Sequence, residues 1–384
     1  MSLFGCRLIR AFKFWPNIGL KLDCGLTLYA LTRPLLQLGN ALLVILRLMK
    51  IEILVRQLPL KHTFTIAHQS RDVQTTLIVR LWDGKAFGLG ESTTNPFYGI
   101  TVENMTACLE EAQQILVNEP IQHPPLLWEK TKAIFTENPF AQCALDMAAW
   151  DLYTKTRGEK LYEHLGLHPS TIPLTNFTIG IASVEKMVEK MREFAWPLYK
   201  IKLGTNHDME IVRELRKHTE AIFRIDANCA WTAEQAIHYS QELKQLNVEF
   251  MEQPLAKDDL EGMKEVYAYS ALPVIADESC IVEADVKKCA GLFHGINVKL
   301  TKAGGITPGL RMIQEAKRLG MKTMVGCMTE SSVGISAIAH IAPQLDYVDM
   351  DGAMLLAQDI ATGVKISRQG VQFPDRPGTG ALLI

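Results

Sequence analysis

The sequence predicts an α/β fold, an eight-stranded parallel barrel with a smaller α+β cap, and three observations predict it. From about Pro173 to Ala353, short apolar strands alternate with amphipathic stretches at the period of βα units. Eight such strands fall in that interval, the number that closes a parallel barrel. From Met49 to about Ile172, by contrast, strands come first and helices follow, the order of a small α+β layer.

Taken in chain order, IEILVRQLPL (51–60) and TTLIVRLW (75–82) alternate apolar and polar residues, as half-buried antiparallel strands do. Residues His68–Val73 read as the loop between them. Asp83-Gly84 signals a turn into a third strand, AFGLGES (86–92). VENMTACLEEAQQIL (102–116) and Cys143–Thr156 then place apolar residues at helical spacing. The barrel strands are TNFTIGI (175–181), YKIKL (199–203), FRIDA (223–227), VEFME (248–252), PVIADE (273–278), GINVKL (295–300), KTMVGC (322–327) and YVDMD (347–351). Helical stretches separate most of them, such as SVEKMVEKMREFA (183–195) and TAEQAIHYSQELKQL (232–246). The tail VKISRQGVQFPDRPGTG (364–380) reads as a strand pair running back toward the cap, which makes the cap discontinuous. The expected division is an extension at 1–48, a cap at 49–172, a barrel at 173–353 and a returning segment at 354–384.

Residues 1–48 differ from the rest, with six Lys/Arg against the single acid Asp23. Their longest uncharged run, Pro34–Leu46, falls short of the roughly 20 residues of a membrane-spanning helix. The expectation is a disordered extension or a misread start, with Met49 beginning an ordinary first strand. Over the whole chain, 48% apolar residues and a net charge of −2 describe a soluble globular enzyme. Interleaved charges argue against a nucleic-acid surface, and no stable membrane partner is expected. The eight cysteines show no CxxC spacing and no disulfide framework, which points to a cytoplasmic, reduced protein.

The C-terminal strand ends carry the chemistry. Asp226, Glu252 and Asp277 close three consecutive strands, where (β/α)-barrel active sites lie. Three hard oxygen ligands with positions left for substrate and water suit Mg²⁺ rather than zinc. Asn228, on the face of Asp226, and Glu278, opposite to Asp277, are candidates to orient those ligands. Lys200 and Lys202 share a face, with Ile201 and Leu203 turned to the helices. A neighbouring cation and a nearby metal disfavour the ammonium form, so Lys202 is a base candidate with its pKa drawn toward neutrality. Farther on, Asn297 and Lys299 occupy one face and Val298, Leu300 and Lys302 the other. The apolar face must meet the helices, so Lys299 points inward and Lys302 falls in the loop beyond. Asp349 and Asp351 end the last strand on one face, and such a pair binds an ammonium group through charge-assisted hydrogen bonds.

These motifs, with CALDMAAWDLYTK (143–155) and FTIAHQSR (64–71), resemble the enolase superfamily in its muconate-lactonizing-enzyme subgroup, and most closely its dipeptide epimerases of the L-Ala-D/L-Glu kind. The resemblance runs from about Met49 to the C-terminus. It implies a modified (β/α)8-type barrel, (β/α)7β, with a discontinuous α+β capping domain. It also implies Mg²⁺ on Asp226, Glu252 and Asp277, and an isomerase. Lys202 and Lys299 would be the two bases of a 1,1-proton transfer at the α-carbon of a dipeptide's C-terminal residue, through a metal-stabilised enediolate. Lys200 would support the base or contact the substrate carboxylate, and Asp349 and Asp351 would hold the α-ammonium. In the cap loop, epimerases for Ala-Glu often carry Arg-Gly-Ser-Arg, whereas this chain has His68-Gln69-Ser70-Arg71. Arg71 is kept and would pair with a distal carboxylate, but the other differences leave the side-chain preference open. A role in peptidoglycan recycling follows if the substrate is L-Ala-D/L-Glu. The alternatives are an o-succinylbenzoate synthase or cycloisomerase of the same subgroup, which share the acids and lysines, and a non-catalytic small-molecule-binding barrel. A homo-oligomer is compatible with the sequence.

Overall fold

The computed structural model describes residues 49–66, 69–117 and 119–384. The expected extension at 1–48 and His68 of the cap loop lie outside the described residues. Among the described residues, no helix is long and apolar enough to cross a membrane.

Three antiparallel strands come first: β1 (Lys50–Ile66), β2 (Gln69–Trp82) and β3 (Phe87–Thr93). The register runs from Lys50↔Trp82 to Pro59↔Val73, shifts at a bulge, and resumes at Phe64↔Arg71. The expected loop therefore needs correction: Gln69–Val73 belong to β2 and pair with β1. Exposed Thr63 and Ser70 flank half-buried residues in this arm, so no apolar/polar period marks it as strand.

The helix Pro139–Arg157 lies across this sheet. Asn138 caps it by accepting from the Ala141 amide, and Gly158 ends it at a φ of 71°. Its close approach depends on Gly88 and Gly90 of β3. A Cβ at either would stand 2.0 Å from a carbonyl oxygen of the helix, of Ala148 or Ala144 respectively. Alanine at Ala144, Ala148 and Ala149 completes the fit, with each of the three buried.

The eight parallel strands β4 (Phe177–Ile179), β5 (Leu198–Lys202), β6 (Ile222–Asp226), β7 (Val248–Glu252), β8 (Val274–Ala276), β9 (Gly295–Lys299), β10 (Lys322–Gly326) and β11 (Tyr347–Asp349) follow one another in sheet order. A parallel bridge between Thr175 and Val348 joins the last strand to the first. Helices from Val184–Glu193 to Ser332–Ile341 intervene between successive strands, while β11 runs instead into a 3-10 turn, Gly352–Leu355. This is the (β/α)7β form of the barrel. Outward residues such as Ile201, Ile225, Met251, Ile296 and Val298 are buried against the helices.

Beyond the barrel, Lys365–Ser367 and Gly370–Gln372 pair as an antiparallel hairpin. The final residues then pack on the first sheet: Ala361 and Ala381 cluster with Ile78 and Leu89. Thr379 donates to Asp151 of the Pro139–Arg157 helix from its amide (2.7 Å) and its hydroxyl (3.0 Å).

Candidate active site

Strand ends place the three acids together. Asp226 and Glu252 are the last residues of β6 and β7, and Asp277 follows β8 directly. All three are at most 1% exposed, and a carboxylate oxygen from each lies within 4.8 Å of the others. Asn228, at a positive φ of 45°, turns its amide back to Asp226 Oδ1 at 3.1 Å. Asparagine is among the residues that tolerate this region of backbone space.

Lysines surround the acids. Lys202 Nζ lies 2.6 Å from Asp226 Oδ2, and Lys299 Nζ lies 2.7 Å from Asp277 Oδ2. Lys200 is 1% exposed and bridges Glu252 Oε2 (2.7 Å), Asp349 Oδ2 (2.9 Å) and Asp226 Oδ2 (3.1 Å). Burial opposes the charged form of Asp226, but Lys202 and Lys200 outweigh it and bring its carboxyl down to about 2. Burial, reinforced by the charge of Asp226, pushes Glu252 up to about 7. Asp277 stays well below the usual carboxylate range, because Lys299 and Lys302 outweigh the cost of its burial. Lys299 is raised in turn: burial opposes its charge, and Asp277 more than restores it.

The lysines occupy opposite sides of the mouth. In sheet order β5, which carries Lys202, and β9, which carries Lys299, are four strands apart in a ring of eight, with the three acids on the strands between. On the remaining arc, Asp349 Oδ1 accepts from Asn176 Nδ2 at 2.7 Å, and Asp351 Oδ2 accepts from the Thr178 amide at 2.5 Å. Burial and then the charge of Asp349 push Asp351 up to about 7, whereas Asp349 is lowered by Lys200 against its own burial.

A cavity of about 290 Å³ stands over these groups, reached by Lys200, Lys202, Lys299, Asp349 and Asp351. This volume is near the lower limit for small-molecule sites, roughly 300 Å³, so it takes a short ligand and not an extended chain. The cap arm closes it with Phe64, Ile66 and Arg71, and the segment Asn95–Tyr98 adds a second wall. Arg71 is half-buried and donates to Gln74 Oε1, and burial lowers its pKa. Gln74 is itself fixed by donating to the carbonyls of Thr75 (2.8 Å) and Thr94 (3.0 Å).

The structure thus brings Lys200, Lys202, Asp226, Glu252, Asp277, Lys299, Asp349 and Asp351 together, with Asn228, Glu278 and Arg71 lining the same cavity. Three details differ from the sequence reading. Asp351 lies beyond β11, because the Met350 amide leaves the ladder and donates to Thr175 Oγ1 at 2.9 Å. Glu278 reaches the cavity although it follows Asp277, because β8 ends at Ala276 and strand alternation no longer applies. Lys302 is not in a loop: it sits in a short helix, Leu300–Ala303, 1% exposed, with Nζ on Asp277 Oδ1 and on the Asp277 carbonyl at 2.8 Å. Asn176, Thr178 and Asn297 were missed as partners of the acids. Asn297 donates from Nδ2 to Glu252 Oε1 at 2.8 Å. Their place on the inward faces of TNFTIGI and GINVKL was the available signal.

Similarity to known proteins follows the same lines. Residues 50–166 match the family described as mandelate racemase / muconate lactonizing enzyme, N-terminal domain, and residues 182–383 match the enolase C-terminal domain-like family. An L-Ala-D/L-amino acid epimerase of Flavobacterium johnsoniae is 56% identical over 336 residues, covering 88% of this chain and 100% of the relative. An L-Ala-D/L-Glu epimerase of Bacteroides thetaiotaomicron is 34% identical over 339 residues, 88% of each chain. Among solved structures, a dipeptide epimerase of Methylococcus capsulatus complexed with Mg and the dipeptide L-Arg-D-Lys superposes with a TM-score of 0.81 at 29% identity, covering 88% of this chain and 99% of that one. With both of its domains matched and its barrel built in the same form, the chain belongs to the mandelate racemase/muconate lactonizing enzyme family of the enolase superfamily.

Proposed function

We propose that the protein is a Mg²⁺-dependent dipeptide epimerase that inverts the α-carbon of the C-terminal residue by a two-lysine 1,1-proton transfer. The observation that carries this reading is the placement of Lys202 and Lys299 on strands across the ring from each other, with the carboxylate triad between.

The residues fit the metal. Three buried carboxylates converge within 4.8 Å, and the groups now nearest them are lysine ammoniums, cations held where a cation is wanted. All donors are hard oxygens, the ligands of Mg²⁺. Asp226, Glu252 and Asp277 would hold the ion, which when bound supplies positive charge to the substrate's carboxylate and so acidifies the adjacent C–H.

The chain's own groups do the rest. One lysine, as the free amine, takes the α-proton from one face, and the other, as ammonium, returns a proton to the opposite face. Each stereoisomer therefore uses the same pair in reversed roles, and charge balances at every step. Lys200 holds Asp349 in place from beneath. Asp349 and Asp351, anchored by Asn176 and Thr178, would take the free α-ammonium. The cap arm would exclude water and, through Arg71, meet the distal side chain.

For substrate we propose L-Ala-X dipeptides, L-Ala-D/L-Glu from cell-wall peptide recycling among them, as the names of the F. johnsoniae and B. thetaiotaomicron relatives support. We place the enzyme in the cytoplasm, where the six described cysteines, all free thiols, would remain reduced. We keep the division into cap (49–172), barrel (173–353) and returning segment (354–384), supported by the packing of Ala381 on Ile78 and Leu89. The test is a dipeptide library incubated with enzyme and Mg²⁺ in D₂O. Single-deuterium mass gain confined to dipeptides with a free N-terminus is the expected result, and no exchange in any member refutes the proposal.

A further inference from the structure

The two oxygens of each triad carboxylate keep different company. Asp226 Oδ1 accepts from the Asn228 amide at 3.1 Å, whereas Oδ2 faces Lys202 at 2.6 Å and Lys200 at 3.1 Å. Glu252 Oε1 accepts from Asn297 Nδ2 at 2.8 Å, whereas Oε2 faces Lys200 at 2.7 Å. Asp277 Oδ1 is held by Lys302, whereas Oδ2 faces Lys299 at 2.7 Å.

The two sets of partners also differ in how they are held. Lys200, Lys202 and Lys299 all line the cavity, on the side from which an ion or substrate arrives. The other set is built into the barrel. The Asn228 donor is main chain, Asn297 is fully buried on β9, and Lys302 is 1% exposed with a second anchor on the Asp277 carbonyl at 2.8 Å. The turn behind Lys302 is itself pinned, since Trp128 Nε1 donates to the Gly304 carbonyl at 2.9 Å.

We propose that these fixed donors clamp one oxygen of each carboxylate, so that the triad offers three single-oxygen ligands and selects Mg²⁺ over Ca²⁺, with Lys302 as the clamp on Asp277. Mg²⁺ demands a compact octahedron and keeps its waters, whereas Ca²⁺ takes 6–8 oxygens and favours carboxylates that bind through both. A carboxylate whose one oxygen is tied to a fixed donor is held from turning both oxygens onto one ion, although that oxygen keeps a second lone pair. Lys302 is thus a positioning residue that acts on metal choice through Asp277, and it has no need to touch substrate.

The inference rests on the reading that the triad holds a divalent cation, and its test reads metal binding alone. Isothermal titration of the metal-stripped protein with Mg²⁺ and with Ca²⁺ is compared for the wild type, Lys302→Met and Asn297→Ala. Loss of the Lys302 charge alters attraction for both ions alike, so the ratio of their affinities isolates the geometry. The wild type should prefer Mg²⁺, and Lys302→Met should move the ratio toward Ca²⁺ by about tenfold or more, within the 10–100-fold range typical of residues that orient metal ligands. Asn297→Ala, which frees Glu252 Oε1, should move the ratio in the same direction, and it carries the test alone if Lys302→Met does not fold. An unchanged ratio, or equal shifts for both ions, overturns the proposal. A wild type that binds Ca²⁺ as tightly as Mg²⁺ overturns the selection while leaving the metal site intact, and one that binds neither ion refutes the site itself.

Discussion

Acid should unfold this protein through His340 before it reaches most of the carboxylates. The ring lies in the Ser332–Ile341 helix, 1% exposed, stacked on Tyr162 at 5.2 Å and edge-on to Phe373 at 4.8 Å. Nδ1 accepts from the Tyr162 amide at 3.0 Å, and Nε2 faces the Thr379 carbonyl at 3.1 Å. A carbonyl only accepts, so Nε2 carries the hydrogen and Nδ1 has none to give. Burial pushes the pKa down to about 3, against an unfolded value of about 6.5. Between those values the unfolded chain binds more protons than the folded one, so this contribution is complete above about pH 6.5 and is lost as pH falls. From pH 7 to pH 5 the loss should be about 2 kcal/mol, on its way to a limit of about 5 kcal/mol near pH 3. The assay is urea denaturation at pH 7, 6 and 5 for the wild type and for His340→Gln, whose amide can accept from Tyr162 and donate to Thr379 without titrating. The variant's stability should fall by about 2 kcal/mol less than the wild type's over that interval. Equal losses in both proteins would refute the argument.

Four further outcomes are expected. Lys202→Ala should abolish epimerisation in both directions, by about 10²–10⁴ or more, yet still permit α-hydrogen exchange from one stereoisomer in D₂O followed by NMR; Lys299→Ala should permit it from the other isomer only. Asp277→Asn should remove activity in a coupled epimerase assay and lower the thermal midpoint, because Lys302 and Lys299 lose their buried carboxylate partner; a variant that keeps wild-type turnover would refute its role as a ligand. N-acetylation of a good dipeptide should remove most of its turnover, since Asp349 and Asp351 would then face no cation; equal rates for both forms would count against the ammonium site. Glu330, pushed up to about 8 by burial and by Glu91, contributes stability below its unfolded pKa that is lost as pH rises toward 8. Glu330→Gln should therefore gain in midpoint over the wild type steadily from pH 5 to pH 8.

Parity along a strand made most of the site legible, and the end of the strand is where it stopped. Lys200, Lys202, Asp226, Glu252 and Lys299 all lie within β5, β6, β7 or β9, so alternation alone assigns their direction. Asp277, Glu278 and Asp351 lie one or two residues past their strands, and for Glu278 the same count gave the wrong side. Lys302 shows the reason most clearly. After Lys299 the chain turns at once into the helix Leu300–Ala303, and the period changes from about 2 to about 3.6 residues. Three residues on, a strand count places the side chain outside, whereas a helical count returns it near the direction of Lys299. It lands on Asp277, the same carboxylate that Lys299 touches. The cap arm failed for a different reason, because residues 64–66 pair with 69–71 over a surface with no buried face to impose a pattern. Barrel chemistry is assembled at the change from strand to loop or helix, so charged residues just past a strand must be read at both spacings. In this chain the second reading finds Lys302, the residue on which the proposed choice of metal turns.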